Sequence, residues 1–218
     1  MRERWQLGQG PIADVVGVME RHGVVVARLP AHSDRVDAFS CWIGARPYVV
    51  LTSNKQAADR SRFDAAHELA HLLFHPDAVP GAKSQESEAQ SFASAFLLPR
   101  ASVTPELPSR PDFTRLVDMK LRWRVSIQAL LRRGHDVGIY SDAAYRRAMT
   151  RLSTLGWRKS EPGDAGPPEQ PTLLARAADM LRQRLGPAPF DERMRLGTQD
   201  QAELLSMVDA QPPRVLAG

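Results

Sequence analysis

Residues 63–75 read FDAAHELAHLLFH, and this stretch limits the folds and the chemistry open to the rest of the chain. His67 and His71 are four residues apart, so on an α-helix their side chains lie about 40° apart around the axis and one turn apart along it. Two imidazoles so placed can reach one metal ion. Glu68 completes an H-E-x-x-H pattern, in which the glutamate acts as a general base. The flanking residues are mostly apolar, as expected for a helix that crosses a core.

An alternative interpretation is a buried helix whose histidines are only polar neighbours. Three fixed positions in five residues arise by chance, and helical histidines usually bind nothing. The apolar setting favours a metal, because two unpaired imidazoles beside a buried carboxylate would be costly without a partner. A third ligand would distinguish the two interpretations.

Two glutamates downstream, Glu86 and Glu88, could supply that third ligand. The helical face of Glu86 also carries Ala89, Gln90 and Ala93, which are mostly small. That face can therefore pack closely against the histidine helix and bring a carboxylate to the metal. Glu88 shares its face with Phe92 and Ala95, about 200° around the axis. We prefer Glu86 as the ligand and interpret Glu88 as a surface charge.

Two further residues near the motif admit a metal-binding or reactive role. His75 follows His71 by four residues and could extend the row of ligands, but Pro76 comes next, and three ligands from one helix would exclude the glutamate. We interpret His75 as a histidine at the helix end, stabilised by the helix dipole. Cys41 lies in a strand pattern and is expected in the core rather than as a nucleophile.

Hydrophobic periodicity and turn residues predict three short strands followed by a series of helices. The predicted strands are 24–29, 36–43 and 47–51. The predicted helices are 12–21, 57–74, 84–98, 112–123, 126–133, 141–155 and 172–185. Ser84 is expected to cap its helix, and Gly134 with Gly138 to end the helix that starts at 126. Residues 99–111 are interpreted as a proline-rich connector.

This pattern predicts an α+β fold in three parts. Residues 1–104 would form the core that holds the motif, and residues 105–159 a helical region similar to a helix-turn-helix. Residues 160–218 would form a linker and a helical tail. The tail could be a mobile docking element, because residues 160–171 are rich in proline and glycine, or its helix could pack on the core.

The two linked motifs resemble the ImmA/IrrE family of zinc metallopeptidases. HELAHLLFH, followed by ESEAQSFASAFLLP, is similar to that family's H-E-x-x-H and to its later glutamate, Phe-Ala and Leu-Leu-x-Pro signature. The resemblance spans about residues 24–100. Gln90 stands where asparagine is frequent in the family. A repressor-type helix-turn-helix is often fused at the amino terminus, and the chain is expected to be a short form without it.

The resemblance implies a gluzincin-type pair of catalytic helices beneath a sheet, with a helical region after it. It implies that His67, His71 and Glu86 bind Zn²⁺ and that Glu68 is the catalytic residue. The implied substrate is a regulatory protein, typically a repressor, that is cut at one site to release stress-response or mobile-element genes.

The charge of the chain bears on its possible partners, and its cysteine content bears on its cellular compartment. The net charge is +4, and residues 100–159 hold 13 basic against 5 acidic side chains. That basic surface is either an ordinary solvated one or a contact for DNA. The lone Cys41, with no apolar leader or bilayer-length run, leads us to expect a cytoplasmic protein without a membrane contact. The leading hypothesis is a zinc endopeptidase, and the alternative is a metal-dependent sensor or DNA-binding module.

Overall fold

A small mixed sheet forms the base of the first half of the fold. The computed structural model describes residues 1–29, 38–52, 57–76, 81–195 and 197. The strands are β1 (Val25–Leu29), β2 (Ala38–Ile43) and β3 (Arg46–Thr52). Their order is β1-β3-β2, with β1 parallel and β2 antiparallel to β3. Ser40 pairs with the fully buried Val49, so its side chain faces the protein interior.

Helices make up the remainder of the described chain. They are α1 (Val15–Arg21), α2 (Ala58–Phe74), α3 (Lys83–Leu97), α4 (Arg100–Val103), α5 (Phe113–Trp123), α6 (Ile127–Asp136), α7 (Asp142–Thr154), α8 (Leu173–Leu185) and α9 (Pro187–Met194). The predicted α+β class with a helical carboxyl-terminal region is confirmed. None of the described helices is both long and apolar enough to cross a bilayer. The predicted strand start at residues 36–37 lies outside the described residues.

Helix α2 carries the opening motif through the centre of the fold. It packs against α3, α1 and two of the strands, and Ala65, Ala66 and Ala70 are completely buried. Alanines let the neighbouring backbones approach closely on several sides, which explains why so many small residues surround the histidines. The hydrophobic core continues from the sheet through α2 and α3 to α5, α6 and α7. The sequence prediction of a core-crossing helix is therefore confirmed.

Several predicted helix boundaries are wrong for identifiable reasons. The N-cap of α3 is Ala82, not Ser84. Helix α6 passes through Gly134 and ends only at Asp136. A Cβ at Gly134 would lie 2.3 Å from Cε2 of Tyr140, so this glycine permits a close contact rather than ending the helix. Gly138, with a positive φ of 84°, ends the turn as predicted.

Two short helices occupy segments for which no helix was predicted. Helix α4 follows Pro99 within residues 99–111, which were interpreted as a connector, and α9 begins with Pro187, after the last predicted helix. Proline is well tolerated in the first turn of a helix, because the amide hydrogen that it lacks has no partner there. In both segments proline begins a helix rather than preventing one.

Residues 160–172, which we call the strap, lie against the core and carry two buried carboxylates. The first is Glu161, whose Oε2 is 3.0 Å from Nζ of Lys120. Asp59 Oδ2 lies 2.8 Å from the same Nζ, and all three side chains are at most 5% exposed. Glu161 Oε2 also accepts the backbone N–H of Ile127 at 2.7 Å, at the start of α6. The carboxylates of Asp59 and Glu161 together raise the pKa of Lys120 despite its burial.

The second strap carboxylate, Glu169, joins three parts of the fold. Its Oε1 accepts a hydrogen bond from Arg62 Nη1, with both side chains almost fully buried. Its Oε2 accepts the backbone N–H groups of Val15 and Val16 at 2.8 and 3.1 Å, which caps α1. These contacts anchor the strap to the core and favour the second of the two alternatives, a tail that packs on the core. The predicted divisions after residues 104 and 159 stay predictions.

Candidate metal centre

Three side chains predicted as metal ligands converge in the structure. His67 Nε2 lies 3.1 Å from His71 Nε2, as the four-residue spacing on α2 requires. Glu86, in the first turns of α3, places Oε2 3.1 Å from His67 Nε2 and Oε1 3.6 Å from His71 Nε2. One ligand atom from each residue lies within 4.8 Å of the others. The face of α3 that brings Glu86 here also carries Ala89 and Ala93, both completely buried.

The chemistry of these donors fits a metal ion. Two imidazole nitrogens and a carboxylate form a ligand set that proteins use for divalent transition metals. Burial lowers the pKa of His71, with Glu86 opposing and His75 adding to the shift. A lower pKa favours the neutral imidazole, which is the form that binds metals. His67, His71 and Glu86 could therefore hold a metal ion.

Glu68 lies on the same helix but outside this ligand cluster. Glu68 is 9% exposed, and its Oε2 accepts a hydrogen bond of 2.6 Å from the Ser40 hydroxyl. Burial raises the pKa of Glu68 most strongly, and the Ser40 hydrogen bond and His67 oppose the shift. The nearby carboxylates of Asp64 and Glu86 raise it further. Glu68 is therefore a carboxylate with increased proton affinity, held by one oxygen.

A cleft of about 490 Å³ opens over these residues. Strand β2 forms one side and the histidines of α2 the other, with Glu68 between them. Trp42 Nε1 donates a hydrogen bond of 3.1 Å to the Leu72 carbonyl, which ties the strand to the helix. Cys41 is exposed and lines the cleft, so its expected place in the core is wrong. The strand pattern could not reveal this, because alternation does not say which face is covered.

The remaining two candidate ligands pair with each other. His75 Nε2 is 2.9 Å from Glu88 Oε2, and His75 Nδ1 is 3.3 Å from His71 Nδ1. His75 ends α2 as predicted, and its backbone N–H donates to the His71 carbonyl. Glu88 was expected to be only a solvated charge, but its carboxylate contacts a side chain that is 8% exposed.

Sequence reasoning missed Ser40 and the pairing of His75 with Glu88. Ser40 is one polar residue in a strand, and only the register of β2 against β3 shows that it faces α2. The four-residue spacing of His71 and His75 indicated that the two could touch. That spacing gave no sign that Glu88, on α3, would reach His75.

Comparison with known proteins identifies a family. The family model Peptidase_M78, described as the IrrE N-terminal-like domain, matches residues 19–135, which is more than half of the chain. The matched range contains every residue of the ligand cluster, Ser40 and Glu68. No curated protein matches the chain.

Proposed function

The chain belongs to the Peptidase_M78 family, the IrrE N-terminal-like peptidases, and from that premise we propose that it is a zinc-dependent endopeptidase. Family membership supports the coarser statement that the protein is a peptidase. The observation that carries the finer proposal is one cleft containing a two-histidine, one-glutamate cluster beside a buried carboxylate of raised pKa. His67, His71 and Glu86 would hold the ion, and Glu68 would be the general base.

Zinc bound in such a site supplies Lewis-acid chemistry, polarising a carbonyl and lowering the pKa of water. The protein's own contribution begins with Ser40. Because its hydroxyl donates a hydrogen bond to Oε2 of Glu68, it restrains the carboxylate and leaves Oε1 outside that hydrogen bond. We infer that Oε1 takes the proton from the attacking water and delivers it to the nitrogen of the leaving amine. A raised pKa suits both transfers, since a base works best with a pKa near the working pH.

Strand β2 is the surface that we propose for the peptide substrate. Within the described part of the sheet it is an edge strand, and Phe39 and Trp42 on it are 47% and 42% exposed beside the cleft. An extended peptide can bind such an edge through main-chain hydrogen bonds. We propose a cytoplasmic regulatory protein, such as a repressor of stress-response genes, as the substrate on the basis of the family resemblance.

Metal content tests the ligand assignment. We expect the wild type to bind about one equivalent of zinc, and the variants His67→Ala, His71→Ala and Glu86→Ala to lose it, along with cleavage of a candidate repressor. Atomic emission on purified protein measures the metal, and gel electrophoresis measures the cleavage. Gln90→Ala, an exposed polar change on the same helix as Glu86, is the control and should bind zinc as the wild type does. Zinc retained by Glu86→Ala would refute this ligand set.

A second candidate function is DNA binding by the basic helices, and one cleft supports it. Much of the positive charge there is already engaged: Lys120 pairs with two buried carboxylates, and Arg122 and Arg132 each contact one. Three exposed arginines nevertheless line a cleft of about 590 Å³ whose lining includes no carboxylate: Arg110, Arg147 and Arg151. Such a cleft would attract phosphate groups.

Salt dependence tests this second candidate. If the cleft binds DNA, changing Arg110, Arg147 and Arg151 together to alanine should flatten the slope of log affinity against log salt by about 3, one per lost phosphate contact. Fluorescence anisotropy with random duplex DNA measures the slope. A control variant removes three exposed arginines elsewhere, Arg4, Arg176 and Arg193. If the two variants showed equal slopes of log affinity against log salt, any DNA binding would be due to the overall positive charge of the protein and not to this cleft.

A further inference from the structure

A row of polar contacts leads away from the ligand cluster to Glu88. His71 Nε2 lies in the cluster, and its other ring nitrogen, Nδ1, is 3.3 Å from Nδ1 of His75. His75 Nε2 is in turn 2.9 Å from Glu88 Oε2. Both nitrogens of His75 are therefore engaged, although neither His75 nor Glu88 belongs to the proposed ligand set.

For an ionised Glu88 and neutral histidines, hydrogen-bond chemistry determines where each proton lies. An ionised carboxylate only accepts hydrogen bonds, so His75 must donate from Nε2 to Glu88. A neutral imidazole carries one proton, which leaves Nδ1 of His75 as an acceptor. His71 must then donate from its own Nδ1. Its Nε2 is therefore unprotonated and presents a lone pair, and Nε2 is the atom that lies in the ligand cluster.

Burial of the His75 side chain stabilises this arrangement of protons. The side chain of His75 is 8% exposed, so water competes poorly for its ring nitrogens, although the Glu88 side chain is 65% exposed. The backbone also holds His75 in place, because its N–H donates to the His71 carbonyl at 2.9 Å. A reversed order would direct the lone pair of His75 Nε2 at the carboxylate. That arrangement would be repulsive.

We propose that Glu88 and His75 are positioning residues that set the tautomer of His71 and so prepare its Nε2 as a metal ligand. The inference rests on the proposed metal site and deepens it. Ligand histidines in metalloproteins commonly donate their second nitrogen to a carboxylate or carbonyl, which orients the ring and increases its basicity. In this protein His75 lies between the ligand His71 and the carboxylate of Glu88. Glu88 belongs to α3, the helix that also supplies Glu86.

Zinc affinity in a double-mutant cycle tests the coupling. Competition with a chromophoric chelator should show that Glu88→Ala and His75→Phe each weaken zinc binding by roughly 10–100-fold. Glu88→Ala should cause almost no further loss in the His75→Phe background, because the relay is already broken. Glu88→Gln keeps an oxygen that can accept from His75 and should lose less affinity than Glu88→Ala. Equal losses in the alanine and glutamine variants would instead indicate a simple charge effect and overturn the proposal.

Nitrogen NMR of the metal-free, full-length protein provides a readout independent of metal and of activity. Spectra that correlate ring protons with ring nitrogens should show His71 protonated at Nδ1 in the wild type, and a mixture of both tautomers in Glu88→Ala. Protonation of His71 at Nε2 in the wild type would overturn the proposal. The proposal would also be overturned if Glu88→Ala lowered the melting temperature but kept the zinc affinity within about twofold. That result would mean that Glu88 only stabilises the packing of α3 on α2.

The two experiments separate this inference from the proposed function. A wild-type protein that binds no zinc would refute the metal site, and the NMR spectra would still decide whether the relay exists. A wild type that binds zinc tightly, with unchanged affinity in Glu88→Ala, would refute the relay and leave the metal site standing. Gln90→Ala again serves as the control on α3, because Gln90 lies outside the cleft.

Discussion

Replacing Glu68 with glutamine is expected to slow peptide hydrolysis by roughly 10²–10⁴-fold, the usual contribution of a positioned general base, while zinc content stays unchanged. Glutamine has nearly the same shape and keeps an oxygen that can accept the hydrogen bond from Ser40. It cannot take a proton at neutral pH. The ligand atoms of His67, His71 and Glu86 form a cluster without Glu68, so the change leaves the metal-binding groups in place.

The measurement compares initial rates on a candidate repressor and on a library of quenched fluorescent peptides, with zinc determined on the same samples. Glu192→Gln makes the same chemical change at an exposed position on α9 and should hydrolyse at the wild-type rate. Retained zinc with lost hydrolysis would support Glu68 as the base. Hydrolysis by Glu68→Gln at the wild-type rate would refute that role, and loss of zinc would show that Glu68 supports the metal site.

The strap provides the second large effect, which concerns stability. Glu169→Ala is expected to lower the free energy of unfolding by about 3–5 kcal/mol, the usual cost of removing one partner from a buried ion pair. Arg62 is 1% exposed and would remain buried without its carboxylate. Helix α1 would also lose the acceptor for the N–H groups of Val15 and Val16. Thermal and urea unfolding of the full chain measure the effect.

Asp164→Asn is the matched control, since Asp164 belongs to the same strap and its described hydrogen bond is a local one to the Gly166 N–H. It should unfold like the wild type. Ending the chain before Ser160 removes both Glu161 and Glu169, and we expect a protein that is insoluble or melts far below the full chain. A truncated protein with the wild-type melting temperature and lost cleavage would show instead that the segment docks substrate.

The histidine helix and its partner could be predicted from sequence because their signals are local. The spacing of His67 and His71 and the small residues beside Glu86 each describe one helix face, and the structure brings these faces together. The three strands were also found within two residues wherever they are described, because apolar runs between turn residues are short-range patterns.

The strap and the relay could not be predicted, because both depend on contacts between distant positions. Composition made residues 160–171 resemble a flexible linker, and nothing local shows that Glu169 meets an arginine 107 positions earlier. Gly134 resembled a helix end because its close contact with Tyr140 is visible only in three dimensions. Glu88 resembled a solvated charge, because helical projection places it about 200° from Glu86 and says nothing of what lies opposite.

The long separation between Arg62 and Glu169 has a consequence for how the protein is made. A ribosome adds roughly 5–20 residues per second, so Arg62 is added to the chain about 5–20 s before Glu169. Through that interval the nascent chain contains the sequence of the proposed active site without the ion pair that secures its helix. We expect unfinished copies to be poor enzymes, so that hydrolytic competence arises late in synthesis and interrupted translation yields little stray proteolysis.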